Sequence, residues 1–475
     1  MSRVRYVKGN VVEITGGNYK VYSEDNIEIH SGDKIIQSGE ENGISFGKTD
    51  QYESEDTLEG VKVTASIFFD GTKNNRNNTF RRLDKDTDSI TNKESKTVYK
   101  KTKQTGSSYE NGYSNVAVLE MMNVLNRKDK IVSKYIEGEG TEDDQKGNTM
   151  GYAFGSGSTG IPAKVNKGYN TIKAEIDGVF NTKKEYVREL TINVFGFSRG
   201  AAAARSFMTT TKGKFKTNYP KAKIKYKFIG LFDTVSSYEP EGYFGVLGSG
   251  LSHNFNNDVT ELGLQLNGMA EKVIHLTAGN EYRSNFSLTT IDSDINAGVG
   301  YELQLPGAHS DIGGGYQDYP HIENRYVNRD GSPSKKEYLD EGWYIKDQLK
   351  GQHSDDDSVN FIGTRELTNA YQFIPLSIMM AFAKKYGMTF NSFEEKKEYQ
   401  NYQVIPELES AKEELESFAL QNEGAVSTSA TIQTTAVLRN VRNKYLHIST
   451  NAYSLGMGAH YEKAKVRRKM IRDNA

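Results

Sequence analysis

Gly196-Phe197-Ser198-Arg199-Gly200 places a serine between two glycines at the spacing used where a hydroxyl nucleophile sits on a sharp turn. The run Leu190–Phe195 before it is strand-like, and Ala201–Ala204 after it forms helix readily. A strand that turns straight into a helix puts the serine in strained backbone and leaves no room for side chains two positions away. The helix start then aims amides and the positive end of its dipole at a developing oxyanion. A tight turn of a nucleotide-binding sheet has the same outline and is the alternative for this pentapeptide.

A serine hydroxyl needs a base, and the base needs an orienting carboxylate. Ile229–Val235 is an apolar run that ends in Asp233, and Leu305–Gly315 carries His309 in a glycine-rich loop beyond another apolar run. Asp233 and His309 therefore follow Ser198 in a workable order, each at a strand end. His447, within Lys444–Ser449, is the competing base. His275 lies inside a strand run and reads as a core residue. His30, His253, His321, His353 and His460 fall in the N-terminal module, polar loops or the tail. An oxyanion hole needs two amides: the Arg199 N–H beside the nucleophile, and Gly71 or Thr72 in the loop that follows the apolar strand Val63–Phe69. Asp70 is expected to brace that loop through bonds to its amides.

The elements that must position these residues alternate. Apolar strand runs at 63–69, 131–136, 190–197, 224–232, 273–278 and 301–305 are separated by helical patterns, such as the one capped by Ser114 or Asn115 and the one through Ile172–Phe180. The fold class is α/β: an α/β-hydrolase-like, mostly parallel sheet flanked by helices, with insertions and a small N-terminal β module. Residues 1–58 form that module, of short alternating runs between Gly- and Asn-rich turns, and 59–475 the catalytic domain. The polar regions 236–271, 316–365 and 387–435 read as irregular insertions. Tyr371–Met388 reads as a core helix rather than a lid, and the basic run from Lys463 to Arg472 as a solvated helix face rather than a contact to an anionic membrane.

Composition narrows the classes. No stretch approaches the roughly 18 apolar residues of a membrane helix, and the N-terminus lacks the apolar core of a secretory signal. The absence of Cys excludes thiolate nucleophiles, thiolate metal sites and disulfides. A net charge of −2 argues against a general nucleic-acid binder. Gly155–Gly160 has a GxGxxG spacing, but Ile161-Pro162 follows it and Asp177 falls in a helical pattern, so it reads as a loop and not a dinucleotide site. Asp355–Asp357 lacks the spaced ligands of a calcium loop. No cofactor and no metal is expected.

Five blocks occur together and in order: Phe68–Asn75, Ser114–Leu119, Gly196–Arg205, Gly230–Val235 and Pro306–Tyr316. In these the chain resembles, over roughly 60–460, the α/β-hydrolase domain family that includes the first group of type VI secretion lipase effectors. The resemblance implies a triad on Ser198, Asp233 and His309 and phospholipase A activity on membrane phospholipids. It also implies use as an antibacterial toxin, made in the producer's cytoplasm and exported without a signal peptide. A secretion-spike protein engaging the N-terminal module and an immunity protein would be its partners. Many members carry long C-terminal membrane-docking parts that this chain is too short to hold in full, and the N-terminal module lies outside the family's core pattern. Two other readings stay open: a metal-assisted phosphoesterase using Asp70, Asp233 and Asp311, and a non-catalytic interaction protein of hydrolase shape.

Overall fold

A computed structural model describes residues 58–473 apart from 103–106, 148–156, 238–257, 328–334, 354–358, 425–426, 451–457, 463–464 and 467. The expected N-terminal module therefore lies outside the described residues but for its last residue, as do the Asp355–Asp357 run and His30, His253 and Gly155.

Seven strands form one sheet: β1 (Glu59–Phe69), β2 (Ile131–Ile136), β3 (Glu185–Phe197), β4 (Lys223–Phe232), β5 (Ala270–Ala278), β6 (Gly300–Leu305) and β7 (Ser427–Ser429). Their order is β7-β6-β5-β4-β3-β1-β2, and each neighbouring pair is parallel. Parallel strands are covered on both faces and so read as continuous apolar runs. Val63, Ala65, Ile67 and Phe69 of β1 enter one core with Leu190, Ile192 and Val194 of β3, whereas Phe68, Phe195 and Phe197 enter a second. The first core is closed by α4 (Ile161–Asp177) and the Ala-rich α5 (Arg199–Asn218). The second is closed by α3 (Asn115–Met122) and α7 (Phe373–Lys385). As expected, the helix within 371–388 is core: Ile374, Leu376, Ile378, Met379 and Phe382 are fully buried. Ser114 caps α3 by accepting the Ala117 amide.

The chain steps outward from β1 to β2, returns past β1 to β3 and then runs the other way. That reversal puts a topological switch point between β1 and β3, where open parallel sheets bind ligands beyond the strands' C-terminal ends. Two further helices, α1 (Arg76–Asp84) and α2 (Asn92–Thr102), follow β1 and pack on each other.

Three expectations are corrected. The 387–435 region, read as irregular, holds the helix Glu409–Gln421 and the edge strand β7. The 316–365 insertion contains ordered structure: His321–Val327, Val359–Leu367 and Leu349–His353 form a three-stranded antiparallel sheet. The basic C-terminal run is no helix face among the described residues. It holds the short strands Lys465–Val466, which pairs with Tyr461–Glu462 just before it, and Met470–Ile471, which pairs with Leu288–Thr289. No helix among the described residues is long and apolar enough to cross a membrane.

Candidate active site

Ser198 stands between β3 and α5 with φ 59° and ψ −128°, a backbone that side-chain-bearing residues rarely adopt. Its neighbours explain the glycines. A Cβ on Gly196 would lie 2.5 Å from Ala201 Cα, and one on Gly200 would lie 2.2 Å from the Asp70 carbonyl oxygen. The turn therefore closes only with glycine at both positions. Ser198 is zipped to the end of β4, its amide donating to Phe232 O (3.0 Å) and its carbonyl accepting from Val235 N (3.2 Å).

Between those two bonds lies Asp233, wholly buried, with a left-handed φ of 44°. Its Oδ1 accepts the Ala278 amide of β5 (2.8 Å), and its Oδ2 accepts from His309 Nδ1 (2.5 Å). His309 opens a short helix, α6 (His309–Gly313), directly after β6. The Nδ1–H bond to the carboxylate leaves Nε2 as the lone-pair nitrogen, which is the tautomer a base requires. The imidazole packs between Phe197, ring centroids 4.7 Å apart, and Phe286, 5.0 Å. Burial holds the His309 pKa below its ordinary value, against the upward pull of Asp233. Burial alone would raise Asp233, but Arg468 and His309 outweigh it and keep the carboxylate well below the usual range.

Arg468 was not visible in the sequence as a site residue. Its Nη2 donates to Asp233 Oδ2 (2.8 Å) and its Nη1 to Oδ1, so both carboxylate oxygens meet one guanidinium. Nothing local could have signalled it, since 235 positions separate the partners. Glu281 was missed as well. It is buried, accepts the His309 amide (3.2 Å), and is brought down to about 2 because the Arg283 pair outweighs the upward push of burial.

His447 is held by a different acid. Its Nδ1 bonds Asp311 Oδ1 (2.8 Å), its amide donates to Asp311 Oδ2 (3.0 Å), and its ring stacks on Tyr316 at 3.6 Å. The structure thus brings His309, not His447, onto Asp233. His275 is the satisfied core residue expected, with Nδ1 on Glu302 Oε2 (3.0 Å) and Nε2 accepting from Thr234 N (3.0 Å).

The loop after β1 lies beside the elbow. Asp70 braces it as foreseen: Oδ1 accepts the Gly71 amide (2.7 Å) and Oδ2 the Tyr135 hydroxyl (2.5 Å). The Gly71 amide is thereby turned onto Asp70 instead of toward an oxyanion. Thr72 accepts from Arg199 Nε (2.8 Å) and donates to Glu139 Oε2 (3.3 Å), which ties the loop to the first residue of α5. Burial raises Asp70 to about 6 and Glu139 to about 7. Asp70, Asp233 and Asp311 are each engaged by separate protein donors, and among the described residues no group of three or more His, Asp or Glu is placed to hold a metal.

Residues 207–327 match the family model described as T6SS, Phospholipase effector Tle1-like, catalytic domain. The chain is similar to the Tle1-like effectors. The matched segment carries Asp233 and His309 and begins downstream of Ser198. In fold, the chain is similar to the Tle1 effector whose structure was solved bound to the VgrG spike from the type 6 secretion system. The two share 22% identity at a TM-score of 0.53, over 87% of this chain and 94% of that one. An uncharacterized protein from Pseudomonas aeruginosa aligns at 16% identity and a TM-score of 0.44, over 82% of this chain and 53% of that one. No curated protein matches the sequence. The Tle1-like fold thus agrees with the α/β sheet and flanking helices read from the sequence.

Proposed function

We propose that the protein is a serine-dependent phospholipase, an esterase that cleaves the acyl ester of membrane phospholipids as a type VI secretion effector. The observation that carries the reading is the buried Asp233–His309 pair, with the strained Ser198 elbow zipped to the strand end that bears Asp233 and Phe197 packed on the His309 ring. His309 Nε2 takes the Ser198 proton as the hydroxyl attacks the ester carbonyl, Asp233 stabilises the imidazolium, and the acyl–serine ester is then hydrolysed by water. The Arg199 amide and the Thr72 amide are the proposed oxyanion donors, with Gly71 committed to Asp70. Phospholipase A specificity follows from the family resemblance. Export from the producer's cytoplasm is proposed on the same resemblance, and residues 1–58, outside the family's core pattern, are proposed to engage a secretion spike, with an immunity protein protecting the producer.

Mass spectrometry of products from mixed phospholipids tests this. The wild type is expected to release fatty acid and lysophospholipid, and Ser198→Ala to lose at least about a thousandfold of that rate, a loss typical of triad removal. Full activity in Ser198→Ala would remove the nucleophile. Released phosphate or head group in place of fatty acid would indicate the phosphoesterase reading, and neither product from a folded protein the non-catalytic one.

A further inference from the structure

The helix α1 is built inside out. Asn78, Thr79, Arg81 and Asp84 are its buried residues, whereas Phe80 and Leu83 are 39% and 41% exposed. A surface helix ordinarily does the reverse. The buried side has good reason to be polar. Asn78 bonds Ser108 (2.9 Å) and Arg81 bonds Asp144 (2.9 Å). Asp84 gathers hydroxyls from the following turn and from α2, Thr91 at 2.9 Å and Ser95 at 2.6 Å. Those bonds clamp the 85–91 connector from within, and its Ile90 stands out with its whole side chain exposed.

Beside this apolar tip, Lys93, Lys96, Lys100 and Lys101 line one shallow depression along α2. Their spacing puts them on a single face. Of the acids nearest them, Glu94 holds Arg81 (2.7 Å) and Asp86 pairs with Lys85, while Asp88 is exposed on the connector, so the lysines outnumber the acid left facing solvent.

We infer that the α1–α2 hairpin is a docking surface for an anionic phospholipid bilayer. Isolated apolar tips flanked by lysines suit the boundary between acyl chains and head groups: Ile90 and Leu83 enter the acyl region while the ammonium groups meet lipid phosphates. A protein partner would favour a contiguous apolar centre depleted of lysine, which this surface lacks. The position also fits. Asn75, the cap of α1, ends the loop that starts at Asp70, so the nine-residue helix carries its tip about 14 Å from that loop. Arg82 fastens α1 to Asp318 (2.8 Å), two residues beyond the Tyr316 that stacks on His447. The hairpin thus hangs from the same post-β1 loop that lies beside the elbow. The inference rests on the proposed lipid substrate, but its test does not require catalysis.

The test is flotation of the Ser198→Ala chain, which leaves lipid uncut, on phosphatidylethanolamine–phosphatidylglycerol vesicles and on phosphatidylcholine vesicles. The unsubstituted patch is expected to bind the anionic vesicles and to release them as salt rises. Changing Lys93, Lys96, Lys100 and Lys101 to Gln should weaken that binding roughly tenfold or more and flatten its salt dependence. Leu83→Ser with Ile90→Ser should weaken it comparably while leaving the salt dependence in place. The same substitutions in the Ser198 chain should leave turnover of a soluble short-chain ester unchanged. Undiminished anionic-vesicle binding in both variants would overturn the inference, as would failure of the parent to bind or equal binding to neutral vesicles. Failure of the wild type to turn over any ester would instead count against the proposed function.

Discussion

The proposed base and its acid do not act as an isolated pair. Arg468 covers both oxygens of Asp233 and lessens the negative potential that the His309 imidazole experiences. Glu281 and Arg283 also face His309, but each largely offsets the other through their own ion pair. Since burial holds the His309 pKa down, the neutral form that accepts a proton should survive below the ordinary histidine value of about 6.5. Activity is lost as pH falls through the folded-state pKa, so the acid limb of kcat/KM on a soluble ester should lie below that value. Arg468→Gln frees Asp233 to stabilise the imidazolium. The His309 pKa then rises, and the limb should move upward by about one unit, equivalent to about 1.4 kcal/mol. Measuring kcat/KM from mildly acid to neutral pH for both proteins checks the sign. An unmoved limb would mean that Arg468 acts on Asp233 through position alone.

Two glycines set the fit between neighbouring elements. A Cβ on Gly138, after β2, would lie 1.8 Å from the Gly71 carbonyl oxygen, while one on Gly200 would strike Asp70 from the α5 side. The Asp70–Asn74 loop is therefore held between them. Gly138→Ala must push it toward the elbow, and overpacking of that kind costs about 1–3 kcal/mol. Urea unfolding should show this loss in the midpoint, with kcat on a soluble ester falling at least about tenfold as the proposed Thr72 donor moves. A normal kcat beside lowered stability would place Thr72 outside the oxyanion hole. The strands that carry this geometry were legible because both faces of a parallel sheet are apolar, and the elbow, acid and base each stand at the end of such a run. The antiparallel sheet over 321–367 was not. Its strands bury charge, with Glu323 and Arg365 paired at 2.7 Å, and a buried ion pair looks in sequence like a solvated surface. Arg468 was equally hidden, because the basic residues around it suggested a single exposed face.

Across the whole α/β unit, the C-terminal segment acts as a stitch. Met470–Ile471 pairs with Leu288–Thr289, Ile471 enters the core beneath α5, and Arg468 reaches the proposed acid. Asp473 is fully buried, accepting from Arg205 Nη2 (2.7 Å), the Ser293 amide (2.9 Å) and the Ser293 hydroxyl (2.6 Å). Removing one partner of a buried ion pair strands the other, at a cost of about 3–5 kcal/mol. Asp473→Asn should therefore be milder than deletion from Arg468 onward, because the amide keeps an acceptor for Ser293 and preserves the strand and Arg468. The chain's single tryptophan, Trp343, lies in the core on the opposite face of the sheet. A sheet shared by both cores should transmit the loss, so the Trp343 fluorescence transition in denaturant should shift with the deletion by as much as the far-UV transition does. If Trp343 kept its midpoint while the far-UV signal moved, the two faces would unfold separately. The tail would then stabilise the α5 side alone, and any fall in activity would trace to Arg468 and not to global stability.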